Sequence, residues 1–236
     1  MTPTSYTKHY LDPARATAAR THLDWLRALN SGVRLPRLHA TFATRLRFEH
    51  LGDRHPGPGE LPVVAEALGR LHAAAHRHLP GARLDRPYAV AGCVWSIPDF
   101  VAARRHVLDG KLIALLPVLP VAIYKDANLR NTLLTDSGVA LIDFDDLTLA
   151  PFGYDLAKLI VSTAMTHGRL PDDAIDTALR AYNQAASSVR PAVCPPELLR
   201  IYTDIHRRLT APYLGRNGYR HDWARVAPWA APALSP

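Results

Sequence analysis

Residues 124–146 read YKDANLRNTLLTDSGVALIDFDD, and this stretch places Asp126, Asn131 and Asp143 around runs that otherwise have strand character. Strands ordinarily exclude Asp and Asn, so these three need a reason to be there. VAIY (121–124), NTLLT (131–135) and VALIDF (139–144) have the apolar and β-branched content of short buried strands. Thr135-Asp136-Ser137-Gly138 between the last two is a turn sequence. The segment therefore predicts a strand, a polar loop KDANLR and a hairpin, with the three polar residues converging at one end. Carboxylate and amide oxygens are the ligands that hard Mg²⁺ prefers, usually one or two of them alongside the phosphates of a substrate. The plain structural alternative for Asp126 and Asn131 is a pair of Asx turns, and for Asp143 a polar strand end.

The rest of the chain supplies a frame of mixed α+β type. SYTKHY (5–10) alternates like a strand, residues 13–30 have helical spacing at Leu23, Leu26 and Leu29, and LHATFATRLRFEHL (38–51) reads as two strands, a βαββ unit. Gly and Pro punctuate GDRHPGPGE (52–60), which is the expected boundary between a domain at 1–51 and one at 52–236. A strong helix follows over 61–79, with Leu61, Val64, Leu68, Leu71 and Ala75 on one stripe and Pro62 in the first turn. Helices are also predicted over 97–116, from Tyr154 or Asp155, over 172–189 and over 195–211; the last 25 residues read as irregular.

Composition excludes several classes. Two cysteines, Cys93 and Cys194, without CxxC spacing suggest neither a disulfide framework nor a zinc site, which suits a reducing cytoplasm. The longest apolar stretch, LIALLPVLPVAIY, is broken by Pro117 and Pro120, so no membrane span is expected. Net charge is +7, but the arginines are dispersed and aromatics make up only 8%, so no nucleic-acid surface is indicated and the charge suits a nucleotide or another anion.

DANLRN (126–131) has the D-x-x-x-x-N spacing of kinase catalytic loops, ALIDFDD (140–146) matches the hydrophobic-I-D-F segment that follows it, and PFGYDLAKLI (151–160) resembles a G-x-x-x-D-L-A stretch. In this order the motifs resemble the aminoglycoside phosphotransferase and choline kinase superfamily. The resemblance implies a protein-kinase-like bilobal fold, with a small β-rich N-lobe and a larger, mainly helical C-lobe. It implies Mg²⁺ and ATP, or another nucleoside triphosphate, as cofactors. Asp126 would be the catalytic aspartate, Asn131 and Asp143 the metal ligands, and Asp155 a carboxylate bracing the catalytic loop and also a plausible N-cap. Backbone groups of Glu49, His50 and Leu51 would meet an adenine, Lys8 would reach the α- and β-phosphates, and His72 in GRLHA (69–73) would be a buried, hydrogen-bonded residue.

The chain departs from that family at several points. Tyr124-Lys125-Asp126 stands for His-Gly-Asp, so Lys125 lies near transferred phosphate or projects to solvent, while Asn128 and Arg130 replace a common His and Gly. Only seven residues precede Lys8, fewer than two strands and a phosphate-covering loop need, so the N-lobe reads as abbreviated and open to completion by a partner protein. Residues 13–30 hold no Glu to pair with Lys8; Asp24 is the only acid, and helical phasing equally places His22 there. The leading expectation is transfer of a γ-phosphate to a hydroxyl of a small molecule: an aminoglycoside-like antibiotic, a sugar or an amino alcohol, with Asp145 and Asp146 meeting an amine or lying in a solvated turn. The alternatives are a kinase-like subunit that modifies peptide Ser/Thr in an assembly, and a pseudokinase scaffold.

Overall fold

The computed structural model describes residues 4–92, 95–188 and 194–229. Cys93, one of the two cysteines weighed above, lies outside them, as do the last seven residues of the chain.

The chain starts with β1 (Ser5–His9), α1 (Pro13–Ala28), β2 (Leu38–Phe42) and β3 (Arg45–Glu49), the βαββ unit expected from the sequence. The strands form an antiparallel sheet in the order β1-β3-β2. Asp12 starts α1 by accepting a hydrogen bond from the Arg15 backbone N–H at 2.9 Å, with Pro13 in the first turn where its missing N–H costs nothing. One face of β3 buries Leu46 and Phe48, while β1 has no fully buried residue.

Two connections are tied to the later hairpin: the Leu134 N–H donates to the Arg54 carbonyl of the 52–60 loop at 2.8 Å, and the Leu141 N–H to that of Arg34, between α1 and β2, at 3.0 Å. Next comes α2 (Leu61–Arg77), whose apolar stripe is buried. Gly69 in α2 permits a close helix crossing, because a Cβ there would lie 2.4 Å from the Tyr182 carbonyl oxygen.

The helix expected over 97–116 is largely absent. Tyr88–Ala89 (β4) pairs with Ser96–Ile97 (β5), a series of turns follows, and only Gly110–Leu115 (α3) is α-helical. Tertiary contacts override the local pattern here. The Pro98 carbonyl accepts from the Leu149 N–H at 2.8 Å, and Arg104 is drawn into the interior, where its guanidinium donates to the Tyr154 hydroxyl, the Phe100 carbonyl and the Thr148 hydroxyl, each at 3.0 Å. Asp109 caps the real helix by accepting from the Leu112 N–H at 2.7 Å.

The polar stretch is built as expected up to a point. Strand β6 (Val121–Tyr124) leads into the loop, and β7 (Thr132–Thr135) forms the hairpin with β8 (Gly138–Leu141). The partner of β6 is β9 (Thr148–Pro151), a strand the sequence did not announce. Strand β8 ends at Leu141 rather than Phe144, because Asp143 adopts a left-handed φ of 67° that turns the chain. Helices α4 (Tyr154–His167), α5 (Asp172–Ala186), α6 (Pro196–Thr210) and the short α7 (Trp223–Val226) complete the description, α7 falling in a region read as irregular. One hydrophobic cluster runs from α1 and β3 through α2 and the hairpin to α6. No helix among the described residues is long and apolar enough to cross a membrane.

Candidate active site

Two of the polar residues bend the backbone where it would otherwise continue as strand or loop: Asp126 has φ 54° and Asp143 φ 67°. Non-glycine residues in this region carry strain, with Asp and Asn the most tolerant, and such strain clusters at functional sites. Asp155 holds the bend at Asp126. Fully buried in α4, it accepts the backbone N–H groups of Lys125 and Ala127, both at 2.9 Å, and the His72 imidazole lies 3.3 Å from its second oxygen. The other ring nitrogen of His72 meets the Tyr182 hydroxyl at 2.7 Å. Asp155 therefore braces the loop and does not cap its own helix, which begins after Gly153 in a left-handed conformation with φ 87°.

Asn128 stitches the loop shut, its Oδ1 accepting from the N–H groups of Arg130 at 2.9 Å and Asn131 at 3.1 Å. Asn131 donates its Nδ2 to the Asp126 carbonyl at 3.0 Å, which leaves Oδ1 as the atom available to a cation. The Ile142 N–H donates to the Asn131 carbonyl at 2.9 Å, so the segment carrying Asp143 is tied to the loop carrying Asp126.

Lys125 neither reaches solvent nor lines the cleft. It is buried, donates its ammonium to the Ile142 carbonyl at 2.6 Å and lies 4.9 Å over the Phe144 ring. Burial lowers its pKa to about 8 against the pull of Asp143, Asp155 and Asp126.

Asn131 and Asp143 share the wall of a cleft of about 370 Å³ with Lys8, Glu49, His50, Leu51 and the apolar faces of Phe48, Leu133 and Phe144. The structure thus brings together the residues singled out for nucleotide and metal, with Asp126 joined to them through Asn131. The ammonium of Lys8 is held between Asp143 Oδ1 at 2.8 Å and Asp145 Oδ1 at 2.7 Å. Burial acts to depress Lys8, but the two carboxylates outweigh it and hold the pKa above its ordinary value. Two carboxylates sharing one cation separate in pKa: against burial, Lys8 holds Asp143 below the usual range, while burial together with Asp143 holds Asp145 above it.

The acid partner of Lys8 is therefore Asp145, two residues beyond Asp143, and not a residue of α1. Asp24 faces Arg20 on the surface at 3.6 Å, and His22 meets the Phe144 carbonyl at 2.8 Å. Asp145 is consequently not in a solvated turn awaiting an amine; Asp146 is the exposed member of the pair. At the cleft rim the backbone donors of Glu49 and His50 are used inside the protein, by the Arg37 carbonyl at 2.7 Å and the Thr4 carbonyl at 3.4 Å. Leu51 N–H makes no backbone hydrogen bond among the described residues.

The roles of four residues at and behind Asp126 escaped sequence reasoning. Tyr124 donates its hydroxyl to Asp126 Oδ1 at 2.8 Å, and Lys158 of α4 lies 3.5 Å from the same oxygen. Behind Tyr124, Arg104 stacks 4.9 Å from its ring and His206 5.8 Å away, the latter buried with its pKa pushed well below the ordinary imidazole value by that burial. The only local signal was the Tyr two residues before Asp126.

A sequence model of the phosphotransferase enzyme family, APH, matches residues 6–193. Among curated proteins no match was found. A macrolide 2'-phosphotransferase from Brachybacterium faecium is 16% identical, with 97% of this chain and 85% of that chain covered at a TM-score of 0.52. The choline kinase of Streptococcus pneumoniae is 15% identical, with 87% and 76% covered at a TM-score of 0.56. An aminoglycoside phosphotransferase from Streptomyces rimosus ATCC10970, solved with ADP and streptomycin, is 16% identical, with 86% and 85% covered at 0.51. These likenesses place the fold in the protein-kinase-like group. The family match extends over the Asp126–Asn131 loop, Asp143 and helix α4, and the chain belongs to the phosphotransferase enzyme family.

Proposed function

We propose that the protein transfers the γ-phosphate of ATP, with Mg²⁺, to a hydroxyl group of a small molecule. The observation that carries this reading is the convergence of oxygen ligands on one cation at the cleft wall: Lys8 lies between Asp143 and Asp145, next to Asn131. A hard-oxygen donor set that already collects an ammonium fits Mg²⁺, and Asp143 with Asn131 Oδ1 would hold it. Bound there, the metal would neutralise negative charge on the nucleotide's phosphates and on the group in transit.

The chain's own residues do the remainder. Asp126 accepts the proton of the attacking hydroxyl and aims it. Tyr124 hydroxyl and Lys158 fix one oxygen of its carboxylate, and Asn128 Nδ2, at 3.3 Å, touches the other. Asp155 and His72 keep the loop bent so that this carboxylate faces outward. Lys8 meets the nucleotide phosphates, with Asp145 retaining it when Asp143 turns to the metal. Leu51 N–H offers the donor to an adenine edge, and Phe48, Leu133 and Phe144 form its apolar bed, with Glu49 and His50 at the rim. The small-molecule acceptor is supported by the family and by a neighbour solved with streptomycin and another with AMP-PNP, Ca²⁺ and amicoumacin. With Asp145 engaged by Lys8, the amine contact foreseen for it falls away, and a polyhydroxylated acceptor of sugar type is the better fit.

Calorimetric titration of Mg²⁺-ATP into wild type and Asp143→Asn, with EDTA as control, tests the reading. Binding that needs metal and is lost in the variant is expected. Failure of well-folded wild type to bind Mg²⁺-ATP sinks it.

A further inference from the structure

We infer that the acceptor carries an anionic oxygen group, a carboxylate or a phosphate, near its reactive hydroxyl, and that Lys158 and Arg130 bind this group. The inference rests on the phosphotransferase reading above and concerns the other partner in that reaction.

Lys158 keeps 13% of its side chain exposed while its ammonium stands 3.5 Å from Asp126 Oδ1. A cation on a rigid helix thus reaches the surface beside the carboxylate assigned to the hydroxyl. Arg130 belongs to the catalytic loop itself and is exposed. Its guanidinium lies 5.1 Å from the centre of the Tyr219 ring and the Lys158 ammonium 5.9 Å from the same centre, so both cations pack on one tyrosine. Among the described residues Lys158 has no carboxylate partner besides Asp126, and Arg130 has none.

Asp126 is the one carboxylate paired with either cation among the described residues. The turn that carries Tyr219 reads Arg216-Asn217-Gly218-Tyr219-Arg220-His221, with no acid, and it packs against Arg130, whose NH1 would lie 3.0 Å from a Cβ placed on Gly218. On α6, Asp204 is already paired with Arg207 at 2.5 Å and with Arg208. A polyamine seated here would press its ammonium groups on Lys158 and Arg130, and the one carboxylate at hand would be the one its hydroxyl needs. Like charges so juxtaposed act against binding. Carboxylate and phosphate oxygens are the natural partners of an ammonium and a guanidinium, and Tyr219, itself buried against Val161 and Met165, holds the two cations in place.

The test uses one polyol skeleton with different end groups: D-gluconate, D-glucitol and D-glucamine, with D-glucitol 6-phosphate as the phosphate form. Each is titrated by NMR into wild type, Lys158→Met and Arg130→Gln, with EDTA present so that chelation plays no part. In wild type, gluconate or glucitol 6-phosphate should bind about tenfold more tightly than glucitol, and glucamine more weakly still. That gap should fall below about threefold in either variant. The better of the two anions tells carboxylate from phosphate. Equal binding of all end groups, no measurable binding of either anion, tighter glucamine, or a uniform loss of every ligand in a Lys158→Met protein whose amide spectrum is that of a folded chain would each overturn the inference. Arg130→Gln alters an exposed side chain, so the test holds even if Lys158→Met fails to fold. A parallel Mg²⁺-ATP titration separates the two claims: nucleotide binding without charge preference removes this inference alone, and absent nucleotide binding removes the phosphotransferase reading and the acceptor assignment with it.

Discussion

The strand that carries Lys8 and the strand that leads to Asp126 stand near one site but are anchored very differently. Strand β1 has no fully buried residue and is held by backbone pairing to β3 and by the ion pairs of Lys8, whose three side chains are 22% to 39% exposed. Strand β6 buries Val121, Ala122 and Ile123, and the loop beyond it hangs on a fully buried carboxylate. Ion pairs at that exposure contribute little to stability, whereas backbone groups bonded inside the core are costly to release. The contrast teaches a division of labour. The carboxylate proposed to aim the hydroxyl is set in the firmly anchored part, and the lysine proposed to meet the nucleotide's phosphates is set in the part that opens at low cost.

The comparison breaks first at Asp126. Asp126→Ala should reduce transfer by about 10²- to 10⁴-fold while Mg²⁺-ATP affinity stays close to wild type, as read by steady-state kinetics and calorimetry. Transfer at a wild-type rate would remove the role assigned to this residue. Next is the brace. Asp155→Ala strands the Lys125 and Ala127 N–H groups and His72, and should cost about 3–5 kcal/mol in urea unfolding. A cost below about 1 kcal/mol would show that the loop is not anchored there.

Lys125 sharpens the same point through pH. Its folded pKa of about 8 lies below the 10.5 of a free lysine, so the unfolded chain binds the extra proton between those values. The penalty for burying the ammonium is full below pH 8 and fades as pH rises toward 10.5. Stability of wild type relative to Lys125→Met should therefore rise by about 3 kcal/mol across that window. A flat difference would mean that the ammonium is solvated. The smallest effect belongs to the exposed side: Asp145→Asn should shift stability by less than about 1 kcal/mol, yet weaken Mg²⁺-ATP several-fold because Lys8 loses its second anchor. Unchanged affinity would leave Asp145 a bystander.

Much was legible in the order of residues. The βαββ unit, the helix over 61–79 and the β7–β8 hairpin follow from periodicity and turn chemistry, which act over a few neighbouring residues. The D-x-x-x-x-N and I-D-F segments marked Asp126, Asn131 and Asp143, and the structure sets the last two beside Lys8 in one cleft. What remained hidden depends on residues far apart in the chain. The helix read over 97–116 was undone because Arg104 found better partners in Tyr154 and Thr148 than helical geometry offered. Strand β9 needed β6 to exist as a strand at all. Lys125 was given two fates in the sequence and takes a third, since only packing decides whether an ammonium finds the Ile142 carbonyl before it finds water. The acid facing Lys8 was sought on α1 and is supplied from 137 residues away. Local pattern determines which segments can be helix, strand or turn, because propensity and hydrophobic period are short-range. Charge pairing and burial are settled only when distant segments meet, and in this protein they chose the partners of Lys8, Lys125 and Asp126.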